Sequence, residues 1–150
     1  MRVVIQRVQH SKVVVAGETI GEIGKGLMVL LGITQEDGQA DIDWLVKKIT
    51  KMRIYNDEAG KMNLSVEDIG GDILVVSQFT LYADARKGNR PSYIRSAKPD
   101  ISIPLYEQFV KTLRTQFSGE VSTGEFGAMM EVSLLNDGPV TIILDSKESI

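Results

Sequence analysis

Two short segments of the chain are apolar at every position, and they restrict the possible folds more than any other feature. Leu27–Leu31 contains only leucine, methionine and valine, and Ile73–Val76 contains only isoleucine, leucine and valine. A strand with one face in water alternates apolar and polar residues, whereas an uninterrupted apolar run is typical of a strand covered on both faces. We therefore predict a central sheet with a further layer packed on each face.

Two helices are predicted, each with a single apolar face. The first spans Asp41–Arg53. The second begins near Ser102, a suitable N-cap, tolerates Pro104 in its first turn and ends at Gly119. Because a helix with one apolar face packs on a sheet, we predict an α/β fold with three layers, β/β/α, in which sheet packs on sheet and the helices form the third layer.

The remaining strands are predicted from short runs rich in β-branched and apolar residues. No linker or repeat interrupts them, so residues 1–150 are expected to form one domain. Val3–Val8 and Lys12–Val15 are expected to form a hairpin around a short turn, and a sharp turn is expected at Asn136–Pro139. The predicted late strands are Glu120–Thr123, Glu131–Leu135 and Val140–Leu144.

The side chains that most enzymes use for catalysis are scarce. The chain has no cysteine and one histidine, His10. Thiol nucleophiles and cysteine metal sites are therefore excluded, and His10 has no neighbouring motif of a serine hydrolase. We predict an exposed turn for His10, and neither a metal nor a cofactor for the protein. With no apolar run of membrane-spanning length and no signal-peptide pattern, we also expect a cytoplasmic protein without membrane contact.

The net charge of −3 argues mildly against a nucleic-acid partner, because nucleic-acid-binding domains are usually basic. The local charge differs between Asp84 and Lys98, where basic residues outnumber acids. Such a segment is either a solvated loop or a surface that contacts phosphates. Charge alone favours the solvated loop and leaves both open. The basic residues are Arg86, Lys87, Arg90, Arg95 and Lys98.

The segment Ser77–Leu81 places polar side chains directly after an apolar strand. Such positions lie at the rim of the core, where binding sites often form. Gln78 can donate hydrogen bonds, and backbone N–H groups that leave a strand can stabilise an oxyanion. Thr80 is a candidate nucleophile, but no base accompanies it in the sequence. The alternative, that Ser77 and Thr80 only satisfy backbone groups, is equally compatible with the pattern.

The second notable segment is Asn136–Thr141, which reads Asn-Asp-Gly-Pro-Val-Thr. Gly-Pro between two apolar strands indicates a turn. A peptide bond before proline adopts the cis form at small cost, although trans is far more frequent. From the residues alone, an ordinary trans turn is therefore the default expectation.

Together, the two segments resemble the two signatures of the D-aminoacyl-tRNA deacylases, also called D-tyrosyl-tRNA deacylases. Either signature alone would be weak evidence, but both in this order and at this separation are specific. The likeness covers essentially the whole chain. Further matches are Tyr82–Asp84, Met1–Val8, Gly60–Asn63, Gly88–Ser92 and Phe126–Ala128.

The resemblance implies the deacylase-type β/β/α fold and a homodimer. Members of the family hydrolyse the ester between a D-amino acid and the terminal ribose of tRNA, accept glycine and reject L-amino acids. The bond between Gly138 and Pro139 would be cis and would reach into the partner subunit's pocket, where both carbonyl oxygens exclude an L side chain. The expected partners are D-aminoacyl-tRNA or glycyl-tRNA and a second copy of the chain.

The resemblance also implies roles for individual residues. Ser77 would contact the substrate, and the adjoining Gln78, Phe79 and Thr80 would form the catalytic wall. The Gln78 side chain and the N–H near Phe79 would stabilise the oxyanion, while the 2′-hydroxyl of tRNA is favoured over Thr80 as the assisting group. By position, Met129 is expected near the adenosine together with Phe126. Supporting residues would be Leu81, Asn136, Val140 and Thr141, and candidates for tRNA contact are Arg86, Lys87 and Arg90.

Two other functions are compatible with the sequence. One is a non-catalytic module that binds the tRNA end on the same fold, because no side chain in the chain is diagnostic of catalysis. The other is an esterase for different small acyl substrates. Such an esterase would cleave free amino-acid esters as readily as charged tRNA.

Overall fold

The computed structural model describes residues 1–149, which form two long helices and eight strands. The helices are α1, Gln39–Lys51, and α2, Pro99–Gln116. No helix in this range is both long and apolar enough to cross a membrane. The strands are β1 Arg2–Val15, β2 Glu18–Ile23, β3 Gly26–Gly32, β4 Tyr55–Asn56, β5 Met62–Leu64, β6 Asp72–Ser77, β7 Val121–Thr123 and β8 Glu131–Asp145.

The long strand β1 organises the main sheet. Its first half, Arg2–Val8, pairs with β3, and its second half, Ser11–Val15, pairs with β2, both antiparallel. β8 pairs with the opposite edge of β1 along nearly all of its length. Beyond β3, the sheet continues with β6 and β7 as parallel neighbours. The two fully apolar segments therefore lie side by side in the centre of the sheet.

The hairpin predicted between Val3–Val8 and Lys12–Val15 is wrong, because β1 does not turn there. His10 pairs with Leu135 of β8, so the chain stays extended through its polar residues. The pairing with β8 shifts twice nearby, between Gln6 and Val8 and between Val8 and His10. His10 is exposed as expected, but in a strand rather than in a turn.

Side chains from the central strands point into two separate cores, as the apolar runs predicted. On one face, Val29 of β3 packs with Leu45 of α1. On the other face, Met28 packs with Val13 of β1 and Ile23 of β2. The second half of β1 and β2 therefore fold over the central strands. The helices lie on the opposite side, which confirms the three-layer β/β/α fold.

The two β layers approach each other most closely at Gly21 of β2. A Cβ atom at this position would lie 2.3 Å from the carbonyl oxygen of Thr123 in β7. No side chain fits in this space, so glycine is required for β2 to lie against β7. The chain leaves β7 directly after this contact and enters the segment that leads to β8.

The second helix begins earlier than predicted. Lys98 is its N-cap and Pro99 its first residue, a position where proline loses no hydrogen bond. Ser102 is therefore a buried residue inside the helix rather than its cap, and Pro104 lies beyond the first turn. The helix ends at Gln116, before Gly119.

The sharp turn predicted at Asn136–Pro139 is also wrong. β8 is one strand because both of its halves pair with β1 in the same direction: Val132 lies opposite Val13, and Leu144 lies opposite Val3. The Gly138–Pro139 segment forms an irregularity within this strand, and the peptide bond between the two residues is cis.

Candidate active site

A cavity of about 340 Å³ lies where the first signature meets the connection between β7 and β8. One wall is formed by Val76–Phe79 at the end of β6, and the other by Phe126–Met130 with Val132 of β8. The fold thus brings together Ser77, Gln78, Phe79 and Met129 from segments far apart in the sequence. We refer to this cavity as the catalytic pocket.

The end of β6 leaves backbone donors available at the pocket. The N–H of Gln78 donates to the Leu31 carbonyl over 2.8 Å, and the chain then enters a 3-10 turn, Phe79–Tyr82. The first N–H groups of a helical turn have no acceptor within the turn. In the described residues, the N–H groups of Phe79 and Thr80 have no hydrogen-bond acceptor. They are therefore available to an anionic oxygen.

Phe79 is held in place by two residues that no local sequence pattern indicates. The Ser96 hydroxyl donates to the Phe79 carbonyl over 2.8 Å. The ring of Tyr93 packs edge-on against that of Phe79, with the centroids 5.1 Å apart. Both residues belong to an irregular segment that reaches the pocket through a bridge between Ser96 and Thr34. No periodicity or motif indicated this long-range pairing.

The Thr80 hydroxyl is engaged by Gln78. The Gln78 Nε2 group donates to Thr80 Oγ1 over 2.5 Å. Within residues 1–149, no histidine or carboxylate hydrogen-bonds to Thr80. The hydroxyl therefore lacks a base that would make it a nucleophile.

The second signature is held in place by Gln6 of β1. Gln6 Oε1 accepts hydrogen bonds from Asn136 Nδ2 over 2.6 Å and from Thr141 Oγ1 over 2.5 Å. The N–H of Val140 donates to Asn136 Oδ1 over 3.2 Å. These contacts of Asn136, Val140 and Thr141 link the residues on both sides of Gly138 and Pro139.

Arg7 is the second support of this segment, and the sequence analysis did not identify it. Arg7 Nε donates to the Asp137 carbonyl over 3.1 Å, and Nη1 donates to the Ile54 carbonyl over 2.6 Å. Arg7 is only 8% exposed. Gly138 has φ +125°, and a Cβ atom there would lie 2.9 Å from Arg7 Nη2. The positive φ therefore favours glycine at this position, and the nearby guanidinium leaves little room for a Cβ atom.

The fold of one chain does not bring Gly138 and Pro139 into the catalytic pocket. Both residues are exposed, and neither is among the residues that line the cavity. Met129, in contrast, lines the pocket while 92% of its side chain remains exposed. The pocket of a single chain is therefore open on this side.

The predicted tRNA-contact residues lie on the loop between Asp84 and Ser92, away from the pocket lining. Arg86 donates through Nε to Asp84 over 2.8 Å, so its charge is balanced locally. Lys87 and Arg90 are exposed, and neither has an ion pair in the described part of the chain. Of the three candidates, Lys87 and Arg90 are thus the more available to a phosphate. Across residues 1–149, no group of three or more His, Asp or Glu side chains is arranged to hold a metal ion.

The family described as D-Tyr-tRNA(Tyr) deacylase matches residues 4–145. The chain belongs to this family. Among its relatives, a D-aminoacyl-tRNA deacylase of Flavobacterium johnsoniae is 60% identical over 147 residues, 98% of each chain. The D-aminoacyl-tRNA deacylase of Bacteroides thetaiotaomicron is 58% identical, again over 98% of each chain.

Two solved structures share the fold of this chain. A protein called c-Myc DNA unwinding element binding protein superimposes with a TM-score of 0.93 and 42% identity, over 99% of this chain and 100% of that one. A probable eukaryotic D-amino acid tRNA deacylase superimposes with a TM-score of 0.83, over 95% of this chain and 97% of that one. Its 17% identity shows a shared fold alone.

Proposed function

We propose that this member of the deacylase family hydrolyses the ester bond of D-aminoacyl-tRNA and of glycyl-tRNA, releasing the free amino acid and tRNA. The observation that carries the proposal is the pair of unoccupied N–H groups of Phe79 and Thr80 at the wall of the catalytic pocket. Such donors stabilise the oxyanion that forms when an ester carbonyl is attacked. A protein that acts on charged tRNA would work in the cytoplasm.

In the proposed reaction, a water molecule adds to the ester carbonyl carbon. The carbonyl oxygen becomes negative and accepts hydrogen bonds from the N–H groups and from the second hydrogen of Gln78 Nε2. The bond from carbon to the ribose oxygen then breaks, and that oxygen takes up a proton. Because Thr80 has no base, we assign the assisting role to the neighbouring 2′-hydroxyl of the tRNA. An activated ester needs little more than positioning and oxyanion stabilisation.

We assign the rejection of L-amino acids to Gly138 and Pro139 of a second copy of the chain. Three features support a homodimer: these residues are exposed and stand outside their own pocket, the pocket is open, and β8 has β1 as its only partner strand within residues 1–149. Leu135 and Ile143 of β8 are 52% and 47% exposed. Carbonyl oxygens at the pocket would leave no room for an L side chain, whereas glycine has none to exclude.

The terminal adenosine is assigned to the wall formed by Phe126 and Met129. Both side chains line the pocket, and an aromatic ring with a thioether provides an apolar surface for a base. Lys87 and Arg90 would contact phosphates further along the acceptor strand. Arg86 would contribute less, because Asp84 already neutralises it.

The purified protein is expected to hydrolyse D-tyrosyl-tRNA rapidly and to leave L-tyrosyl-tRNA intact, with and without a chelator. Release of labelled tyrosine from each substrate measures this directly. Equal hydrolysis of both esters would favour a general esterase. Tight binding of tRNA without hydrolysis would favour the non-catalytic module. This alternative is tested because the 42% identical structure is named for DNA binding.

Thr80→Ala is expected to retain at least about a tenth of the wild-type kcat/KM. Removal of a true nucleophile or of a key oxyanion donor would instead lower the rate by about a hundredfold to a thousandfold or more. The variant removes the hydroxyl and keeps the backbone N–H of residue 80. Single-turnover hydrolysis of D-tyrosyl-tRNA is the measurement. Thr19→Ala, at an exposed position of β2, is the matched control. A thousandfold loss with the control unchanged would identify Thr80 as the nucleophile.

A further inference from the structure

A second cavity, of about 470 Å³, lies between α2 and β7. Its lining includes Tyr106, Glu107, Lys111 and Arg114 of α2 and Thr123 of β7. None of them belongs to the catalytic pocket or to either signature. We refer to this space as the α2 cavity.

The hydroxyl of Tyr106 in this cavity has no hydrogen-bond partner. Tyr106 is only 7% exposed, and its oxygen is the one buried side-chain oxygen or nitrogen in residues 1–149 without a partner. The Thr123 side chain faces the phenol but does not have the geometry of a hydrogen bond. Burial raises the pKa of Tyr106, while Thr123 and Arg114 partly oppose this rise. The phenol therefore stays protonated at neutral pH. Buried polar groups are nearly always paired, so an unpaired donor at a cavity points to a missing ligand.

The charge of the cavity favours an anion. Neither Lys111 nor Arg114 has an ion pair in the described residues, while Glu107 is the single acid in the lining. Arg114 Nη2 donates to the Val121 carbonyl over 3.1 Å, which fixes the guanidinium beside β7. One ammonium, one fixed guanidinium and a phenol donor suit a phosphate group, which accepts several charge-assisted hydrogen bonds.

The α2 cavity shares a wall with the catalytic pocket. The ring of Tyr106 packs against that of Phe126, with the centroids 5.6 Å apart, and Phe126 lines the catalytic pocket on its other side. A ligand in the α2 cavity would therefore lie next to the proposed adenosine site. An RNA strand that places its last nucleoside in the catalytic pocket must place the phosphates of the preceding nucleotides close by.

We propose that the α2 cavity binds a backbone phosphate of the RNA strand whose 3′ end occupies the catalytic pocket. Lys111, Arg114 and the Tyr106 hydroxyl are the donors. This inference rests on the proposed function for the identity of the strand. The proposed phosphate site lies outside both signatures and outside the loop between Asp84 and Ser92.

The test compares a substrate that carries the RNA backbone with one that has only the terminal adenosine. Lys111→Gln and Arg114→Gln are each expected to raise KM for D-tyrosyl-tRNA about tenfold, the value of one charge-assisted hydrogen bond, with kcat unchanged. Hydrolysis of D-tyrosyl-adenosine, which has no phosphate, should not change. Tyr106→Phe should raise KM in the same way and leave Tm unchanged or higher, because it removes an unpaired hydroxyl and keeps the ring.

Two further variants act as controls. Glu107→Gln removes the only acid of the lining and is expected to lower KM for D-tyrosyl-tRNA. Lys47→Gln removes the same charge as Lys111→Gln from an exposed position on α1 and should leave KM unchanged. An equal rise in KM for Lys47→Gln and Lys111→Gln would indicate general electrostatic attraction and overturn the site. Unchanged KM in Lys111→Gln and Arg114→Gln, or an equal loss on D-tyrosyl-adenosine, would also overturn it.

Failure of the inference and failure of the proposed function are distinguishable. If the wild-type protein hydrolyses D-tyrosyl-tRNA and the α2 variants behave as wild type, only the phosphate site is wrong. If the wild-type protein hydrolyses nothing, the proposed function is wrong, and binding of uncharged tRNA then tests the site. Lys111→Gln and Arg114→Gln should each reduce the magnitude of the slope of log affinity against log salt by about 0.7, the value for one contact to a single strand. An unchanged slope would overturn the site in that case.

Discussion

A D-tyrosyl-tRNA whose terminal adenosine lacks the 2′-hydroxyl is expected to be hydrolysed at least about a hundredfold more slowly than the natural substrate, the usual size of a general acid–base contribution. The expectation follows from the Thr80 environment, because the only side chain that hydrogen-bonds to its hydroxyl in the described residues is an amide, that of Gln78. With no base supplied by the protein, the proton transfers fall to the substrate. Single-turnover hydrolysis of the ribo and 2′-deoxy esters measures the difference.

Two controls separate chemistry from binding. The uncharged 2′-deoxy tRNA should compete with the natural tRNA within about tenfold, the cost of one neutral hydrogen bond at most. Thr80→Ala should slow both substrates by the same small factor. If the 2′-deoxy ester is cleaved at the natural rate and Thr80→Ala abolishes that cleavage, the assignment of the assisting group is wrong and Thr80 acts as the nucleophile.

Arg7→Met is expected to lower the free energy of unfolding by about 3 kcal/mol, the low end of the range for removing one partner of a buried ionic contact. The side chain of Arg7 is 10% exposed, and its Nε atom lies 3.3 Å from the Asp137 carboxylate. The guanidinium also donates a hydrogen bond to the Ile54 carbonyl. Its loss leaves these acceptors without a donor. The same change releases the Gly138 segment, so we also expect L-tyrosyl-tRNA to be hydrolysed faster relative to D-tyrosyl-tRNA.

Urea unfolding measures the first effect, and the ratio of D to L hydrolysis measures the second. Arg53→Met is a suitable control, because Arg53 is exposed and makes one side-chain hydrogen bond, to Asn63. It should change stability by less than about 0.5 kcal/mol, as is usual for exposed positions. Arg7→Lys keeps the charge but not the planar set of donors, and should be intermediate. Wild-type stability and selectivity in Arg7→Met would show that the contacts of Arg7 are not needed.

The layers of the fold were predictable because apolar periodicity reports burial directly. Leu27–Leu31 and Ile73–Val76 lie at the centre of the sheet, and both predicted helices lie on one face of it. The two wrong predictions concern where a strand is interrupted. His10 and Pro139 are polar or turn-forming residues inside strands, and local propensity favours a break at each. Pairing between β1 and β8 overrides that preference, and no short window of sequence contains both partners.

The sequence indicated the residues of the two signatures, but not the residues that hold these signatures in place. Ser77, Gln78 and Phe79 of the first signature line one cavity together with Met129, which was expected there from its position in the chain. Arg7, Gln6 and Ser96 were missed because each acts on a residue far along the chain, through contacts that depend on the register of the strands and on one isolated bridge. A strand residue such as Arg7 carries no local mark of this role.

The pairing of β8 with β1 on both sides of the Gly138–Pro139 irregularity limits how sequences of this kind can diverge in length. At about 3.3 Å per residue, the strand between Val132 and Pro139 spans about 23 Å at most, and this length separates the wall of one catalytic pocket from the segment assigned to the other. One inserted or deleted residue there would shift that separation and reverse the faces of the strand beyond it. The loop between Asp84 and Ser92 and the turn between β4 and β5 carry no such constraint. Evolutionary insertions and deletions can therefore accumulate in those loops while β8 keeps its length.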